Sequence, residues 1–160
     1  GFHVGEKDHI EKFALWEKSK HNPFNIVDPR KDKSAGKVCA QPVDMTVMYP
    51  TLLELCGLPG YDKLHGRSAA PLVSKPGTSW KQPAVMTYGF KNHAVRSERW
   101  RYIRYADGTE ELYDHSKDPN EWTNLAGEGQ YASIIKDHAK WIPQQNSPPA
   151  PDLKRSSKKR

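Results

Sequence analysis

Trp100-Arg101-Tyr102-Ile103-Arg104-Tyr105-Ala106-Asp107-Gly108-Thr109-Glu110-Glu111-Leu112-Tyr113-Asp114 is the stretch whose reading decides the fold. Aromatic and branched residues flank Asp107-Gly108, a dipeptide that favours a hairpin turn. Side chains alternate across an extended strand, so Trp100, Tyr102 and Arg104 share one face and Arg101, Ile103 and Tyr105 the other. Both faces carry aromatic bulk. The pattern predicts a strand covered on both sides, by a helix on one and by the rest of the protein on the other. His93–Arg96 and Ala84–Tyr88 precede it, giving an antiparallel sheet of three or four strands. No RNP-like pattern surrounds these aromatics, which argues against an RNA-stacking sheet.

Working outward, Asp118-Pro119 turns the chain, and Trp122 and Leu125 anchor the next loop. Tyr131, Ile134, Ile135, His138, Trp141 and Ile142 then form one stripe, an amphipathic helix over Gln130–Ile142 that covers the sheet. His138 on that stripe reads as a packed histidine rather than a ligand. From Pro143 a proline-rich run passes into a basic one and reads as a disordered tail.

Upstream of the sheet, Glu11–Lys20 suggests a short helix that ends at Asn22-Pro23, because a residue before proline avoids the helical region. Phe24–Val27 and Val38–Val43 read as short strands, separated by an exposed charged loop over Arg30–Gly36. Asp44 is an N-cap candidate. The stripe of Met45, Met48, Tyr49, Leu52, Leu53, Leu55 and Cys56 predicts a core helix closed by Gly57, with a distortion or restart at Pro50. His65–Ser68 introduces a helical turn through Leu72 and Val73.

The chain has 160 residues, 36% of them hydrophobic, and a mean hydropathy of −0.87. That suits about one globular domain, and no apolar run approaches the roughly 20 residues of a membrane span. The net charge is +6, but Asp152–Arg160 alone contributes +4 of it. The basicity is a property of the tail and gives no argument for nucleic acid. Cys39 and Cys56 are too few for a disulfide framework, and neither has a zinc-ligand neighbour. The leucines around Cys56 predict a buried free thiol.

The segment most suited to chemistry is Gly1–Phe13, which holds two His, two Lys, two Glu, one Asp and two Gly. So polar a run, followed at once by apolar ones, reads as a functional loop held against a scaffold. Its charged groups offer anion donors and proton-transfer candidates. The plain alternative is a solvated surface loop.

GFHVGEKDHIEKFALWEK, PVDMTVMYPTLLELCGLPG, HGRSAAPLV, NHAVRSERWRYIRY and ELYDHSKDPNEWTNLA resemble, in this order, the C-terminal half of sulfatases, and most of all the iduronate-2-sulfatase-like group. The resemblance covers residues 1–142. It implies an alkaline-phosphatase-like α/β fold in which 1–82 belong to the catalytic domain, 83–142 form a small antiparallel sheet with a C-terminal helix, and 143–160 are the tail. It also implies hydrolysis of a sulfate ester by a formylglycine made within C/S-x-P-x-R, with calcium helping to bind the sulfate. The implied mechanism has a nearby histidine protonate the leaving alcohol. No C/S-x-P-x-R occurs here, and the family's Asp-His or Asp-Asn calcium ligands fall just before Gly1. The expectation is a fragment that is inactive alone, its metal ligands and nucleophile lying in a missing part.

Matched to the motif, Lys12 stands where these sulfatases bind sulfate through a lysine. A compact ammonium suits charge developing on sulfuryl oxygens, and the plain alternative is an exposed helix-start lysine. The resemblance places Phe2 at the pocket rim and His93 facing the substrate. His3 and His9 flank the same site, each contacting sulfate or sugar, or else capping a helix or lying at the surface. Arg96 reads as an ion-pair partner, and Glu6 and Lys7 as loop charges. The implied partner is a sulfated carbohydrate or other sulfate ester, not nucleic acid or membrane, and the family habit is periplasmic or extracellular. A carbohydrate-binding or interaction module, and a phosphatase or phosphodiesterase of the same superfold, are the rival readings.

Overall fold

Four strands follow one another in the computed structural model, which describes residues 1–30 and 36–148. Most of the expected charged loop, residues 31–35, and the tail beyond 148 lie outside the described residues. The strands are β1 (Ala84–Thr87), β2 (His93–Arg96), β3 (Trp100–Arg104) and β4 (Glu110–Asp114), in the order β1-β2-β3-β4 and antiparallel throughout. The β3–β4 turn is a three-residue loop, Ala106-Asp107-Gly108, closed by the Tyr105 N–H donating to the Thr109 carbonyl at 2.9 Å. Gly108 sits at φ 87°, a left-handed position that a side chain resists. The Asp107 carboxylate braces the turn by accepting from the Thr109 N–H at 2.9 Å and its hydroxyl at 2.7 Å.

Register then sorts the residues. Val95, Tyr102 and Leu112 line up across three strands. They bury together with Ile142 under α4 (Ala132–Ala139), which continues a 3₁₀ turn at Gly129–Tyr131. The helix is shorter than its stripe suggests, and Ile142 reaches the core from the turn beyond it. His138 is packed as expected: Nδ1 lies 2.8 Å from the Ile134 carbonyl and donates to it, so Nε2 accepts from Ser97 at 2.9 Å. Burial holds its pKa below the usual histidine value. On the opposite face Ala94, Ile103 and Tyr113 pack against Leu15, with Trp16 and Tyr105 beside them. The sheet is therefore covered on both sides, by a helix on one and by the opening segment on the other.

The region before the sheet departs from the sequence reading. Among the described residues 1–83 there is no strand. A short apolar run needs a pairing partner to become one. Phe24, Cys39 and Val43 instead pack into a small separate cluster with Val47, Ala69 and Leu72. The first helix shrinks to α1 (Glu17–Lys20), because Leu15 and Trp16 are laid against the sheet.

Asp44 caps as expected, its carboxylate accepting from the Thr46 N–H at 3.0 Å. A 3₁₀ turn at Met45–Val47 leads into α2 (Met48–Leu55). Pro50 stands in the first turn of α2, where its missing N–H leaves no bond unmade, so the restart falls at Met48. The apolar stripe, however, faces outward: Tyr49 is 57% and Leu52 49% exposed, and Cys56 is exposed as well. The inward side is Val47 and Thr51, facing α3 (Ala70–Ser74) and the residues before it. Gly66 belongs to the same seam, since a Cβ there would lie 1.9 Å from the Thr46 carbonyl oxygen. Among the described residues no helix is long and apolar enough to cross a membrane.

Candidate functional site

Residues 3–11 double back on themselves. The His3 N–H donates to the Glu11 carbonyl at 2.9 Å and the Gly5 N–H to the His9 carbonyl at 3.1 Å. The tip is a 3₁₀ turn over Glu6–Asp8; Gly5 just before it has a φ of 128°, and Lys7 and Asp8 within it have φ of 57° and 53°. Left-handed backbone at two non-glycine residues is unfavourable and is held only where surrounding contacts over-determine it. Those contacts come from the sheet. The Lys7 ammonium lies 4.9 Å from the Trp16 ring centroid and 4.6 Å from that of Tyr113, and it donates to the Tyr113 hydroxyl at 2.9 Å. Tyr113 donates onward to Glu111 Oε2 at 2.8 Å, and the Trp16 indole N–H donates to the same oxygen at 2.7 Å. Burial, then Glu111, pushes the Tyr113 phenol well above its ordinary range, so it stays protonated.

A second anchor is a buried charge cluster. Arg101 Nη1 donates to the Leu15 carbonyl at 2.8 Å, Nη2 to Glu17, and Nε lies 2.6 Å from Glu121 Oε1. Glu121 also accepts from the Glu17 N–H at 2.8 Å and lies 2.8 Å from His115 Nε2. Arg96 can only donate, so His115 Nδ1, 3.0 Å from it, is the acceptor and Nε2 carries the proton. Burial alone would raise the Glu17 carboxyl, but Arg101 and Arg96 outweigh it and hold it below the ordinary value. Arg96 is thus an ion-pair partner, as its sequence position suggested.

Glu17, His115 and Glu121 are the one set of three metal-ligating side chains brought together among the described residues, within 4.8 Å. Their ligand atoms are already engaged, and two guanidiniums beside them repel a cation. Calcium needs six to eight oxygens, so this set does not fit it.

Of the five sequence candidates, the structure brings His3 and His9 into contact. Lys12 is exposed at the base of the loop; its carbonyl accepts from the Ala14 N–H at 2.9 Å, and the neighbouring Phe13 stacks on Tyr88 at 5.7 Å. Phe2 is exposed as well. His3 is 1% exposed, packed edge-on against His9 and Trp16, with neither ring nitrogen partnered within the described residues. His9 is half-buried, and its Nε2 is likewise unpartnered. His93 is buried in β2 with both nitrogens engaged, 2.9 Å from the Thr87 hydroxyl and 2.8 Å from Asn146 Oδ1.

A cavity of about 210 Å³ opens between the loop tip and the segment after β4, lined among others by His3, Glu6, Lys7, Glu121 and Trp122. Lys12 does not line it. Sequence reasoning set Lys7 aside as a loop charge and passed over Tyr113, Glu111 and Arg101. Their partners lie 84 to 106 residues away, and no local pattern signals such pairings.

The chain matches the family described as N-sulphoglucosamine sulphohydrolase, C-terminal, over residues 5–147. It is 40% identical over 147 residues to a sulfatase of Formosa agariphila, covering 92% of this chain and 29% of that protein. It is 32% identical over 138 residues to arylsulfatase K of Danio rerio, covering 79% of this chain and 26% of that protein. A solved structure held in complex with its substrate D-glucosamine-2-N,6-O-disulfate superposes with a TM-score of 0.50 at 24% identity, over 58% of this chain and 22% of that one. That likeness supports the fold, the C-terminal part of the alkaline-phosphatase-like sulfatase architecture. The chain thus spans less than a third of the length of these relatives. With the sheet, the helix and the tip of the opening loop inside the matched residues, the chain belongs to the N-sulphoglucosamine sulphohydrolase C-terminal family and is a C-terminal sulfatase domain.

Proposed function

We propose that this domain serves a sulfatase of the iduronate-2-sulfatase-like group, and that in the whole protein it contributes Lys12 to hydrolysis of a sulfate ester on a sulfated sugar. The observation that carries this reading is the placement of Lys12. It is exposed, while the residues on both sides of it are tied down, by the His3–Glu11 bond on one and the Phe13–Tyr88 stack on the other. A lysine whose chain neighbours are held and which faces solvent has its ammonium available to an anion, the role a charge-stabilising donor fills. Its role is to hold the sulfuryl oxygens as negative charge develops on them.

Phe2, which is exposed, and His9, which is half-buried, are the residues left to contact the sulfate or the sugar. His3, being interior, supports the loop rather than meeting the sugar. His93 reaches a ligand only when Asn146 gives way. The formylglycine and calcium implied by the family have no holder among these residues, and no step of this reading passes through them. The matching sulfatases carry much more sequence than this chain, and that sequence is where such groups belong.

The test is turnover of 4-nitrophenyl sulfate by the full-length protein and its Lys12→Ala variant. The expected loss in kcat is about 10²- to 10³-fold, corresponding to ~2.7–4 kcal/mol. Unchanged turnover removes Lys12 from the site. Retained binding of a sulfated glycan with no turnover of any sulfate ester by the parent protein favours a binding module instead.

A further inference from the structure

We propose that Lys7 is a positioning residue for Lys12: its ammonium, lodged between Trp16 and Tyr113, fixes the tip of the opening loop and thereby the base from which Lys12 projects. The inference rests on the reading of Lys12 as the sulfate-binding lysine. Lys7 is not itself a substitute for it. Its side chain is half-buried, and its Nζ is engaged by the Tyr113 hydroxyl and two aromatic faces. A cation held over two rings and donating to a phenol is fixed more tightly than a surface lysine.

The geometry carries that restraint along the loop. Lys7 and Asp8 take left-handed conformations that the free segment would not favour. Releasing the ammonium therefore lets the tip relax. Tip and base are joined by two backbone bonds, Gly5 to His9 and His3 to Glu11, so a relaxed tip displaces Glu11 and the adjacent Lys12. On the sheet side the anchor is rigid. Tyr113 is in β4, and its hydroxyl is held by Glu111, which also takes the Trp16 indole. Both walls of the cage are thus locked to one carboxylate, and the loop follows the sheet.

A double-mutant cycle in the full-length protein tests this with 4-nitrophenyl sulfate. Lys7→Met keeps the aliphatic stem and removes the charge. It is expected to lower kcat/KM by about 10- to 100-fold, the cost of a small misplacement of a reacting group. In the Lys12→Ala background the same change is expected to alter kcat/KM by less than about twofold, because a residue that acts through another loses its effect when that other is gone. Titration of inorganic sulfate gives a second readout, weaker in Lys7→Met and indifferent to Lys7 once Lys12 is absent. If Lys7→Met fails to accumulate, Tyr113→Phe takes its place, since it removes only the hydroxyl that Lys7 donates to. A loss of equal size in both backgrounds, or no loss at all, overturns the positioning role while leaving Lys12 in place. Full turnover by Lys12→Ala overturns both readings together.

Discussion

His3 couples this loop to pH. Its ring is buried, both nitrogens lack a partner among the described residues, and burial followed by the nearby His9 lowers its pKa below 6.5. The unfolded chain therefore binds a proton more readily than the folded one. Stability is full above pH 6.5 and is lost as pH falls from 6.5 toward the lowered folded value. Melting temperature is expected to drop between about pH 7 and 5, and His3→Phe, which keeps a ring in the same space, is expected to flatten that slope. Thermal melts of the two proteins across that range decide it; parallel slopes would assign the pH response to other groups. At this scale Lys12 could be singled out from the sequence, because its motif spacing is local, and its role stays a proposal. The sequence was unreadable for Lys7, because the residue that explains it, Tyr113, comes 106 positions later. His3 stayed open between a substrate contact, a helix cap and the surface for the same reason: nothing in its neighbourhood announces that His9 and Trp16 will pack against its buried ring.

At the level of elements, alternation along β3 and β4 was a sound guide because both faces are covered and each side chain has one place to go. The helix after the sheet was legible for the same reason. Helix α2 was not. Amphipathicity tells which side of a helix is apolar, but not whether anything covers it, and here the small inward side is what packs. Thr51 carries that packing. Its hydroxyl donates to the Val47 carbonyl and accepts from the Ala69 N–H at 2.8 Å, all of it buried. Thr51→Val preserves the shape and strands the Ala69 N–H, so it is expected to cost about 1–3 kcal/mol in a urea titration. A change below about 0.3 kcal/mol would mean that the seam between α2 and α3 reorganises to satisfy that group.

For the whole molecule, the outward stripe of α2 is the largest departure from a self-sufficient domain. Met45, Met48, Tyr49 and Leu52 lie together on the surface, and Phe2, Val4, Ile10 and Phe13 are exposed on the opening segment. Apolar surface gathered in this way promotes association. Leu52→Glu is expected to change stability by no more than about 0.5 kcal/mol, since the site is open, while lowering light scattering of the isolated chain. An unchanged scattering profile would place the sticky surface elsewhere. The short strands expected over Phe24–Val27 and Val38–Val43 are not formed, and among the described residues every strand belongs to the meander of β1 to β4.

The clamp on the opening loop also has a history in time. Lys7 waits for Tyr113, Trp16 for Glu111, and Glu17 for Glu121, separations of 106, 95 and 104 residues. Pairings so distant along the chain are the last to be rewarded during folding, because the loop-closure entropy between them falls due first. A ribosome that has already emitted Lys12 must go on to emit β4 and the turn beyond it before that lysine has anything to stand on. A product truncated between the two keeps the lysine and loses its geometry, so completeness of translation is written into the loop itself.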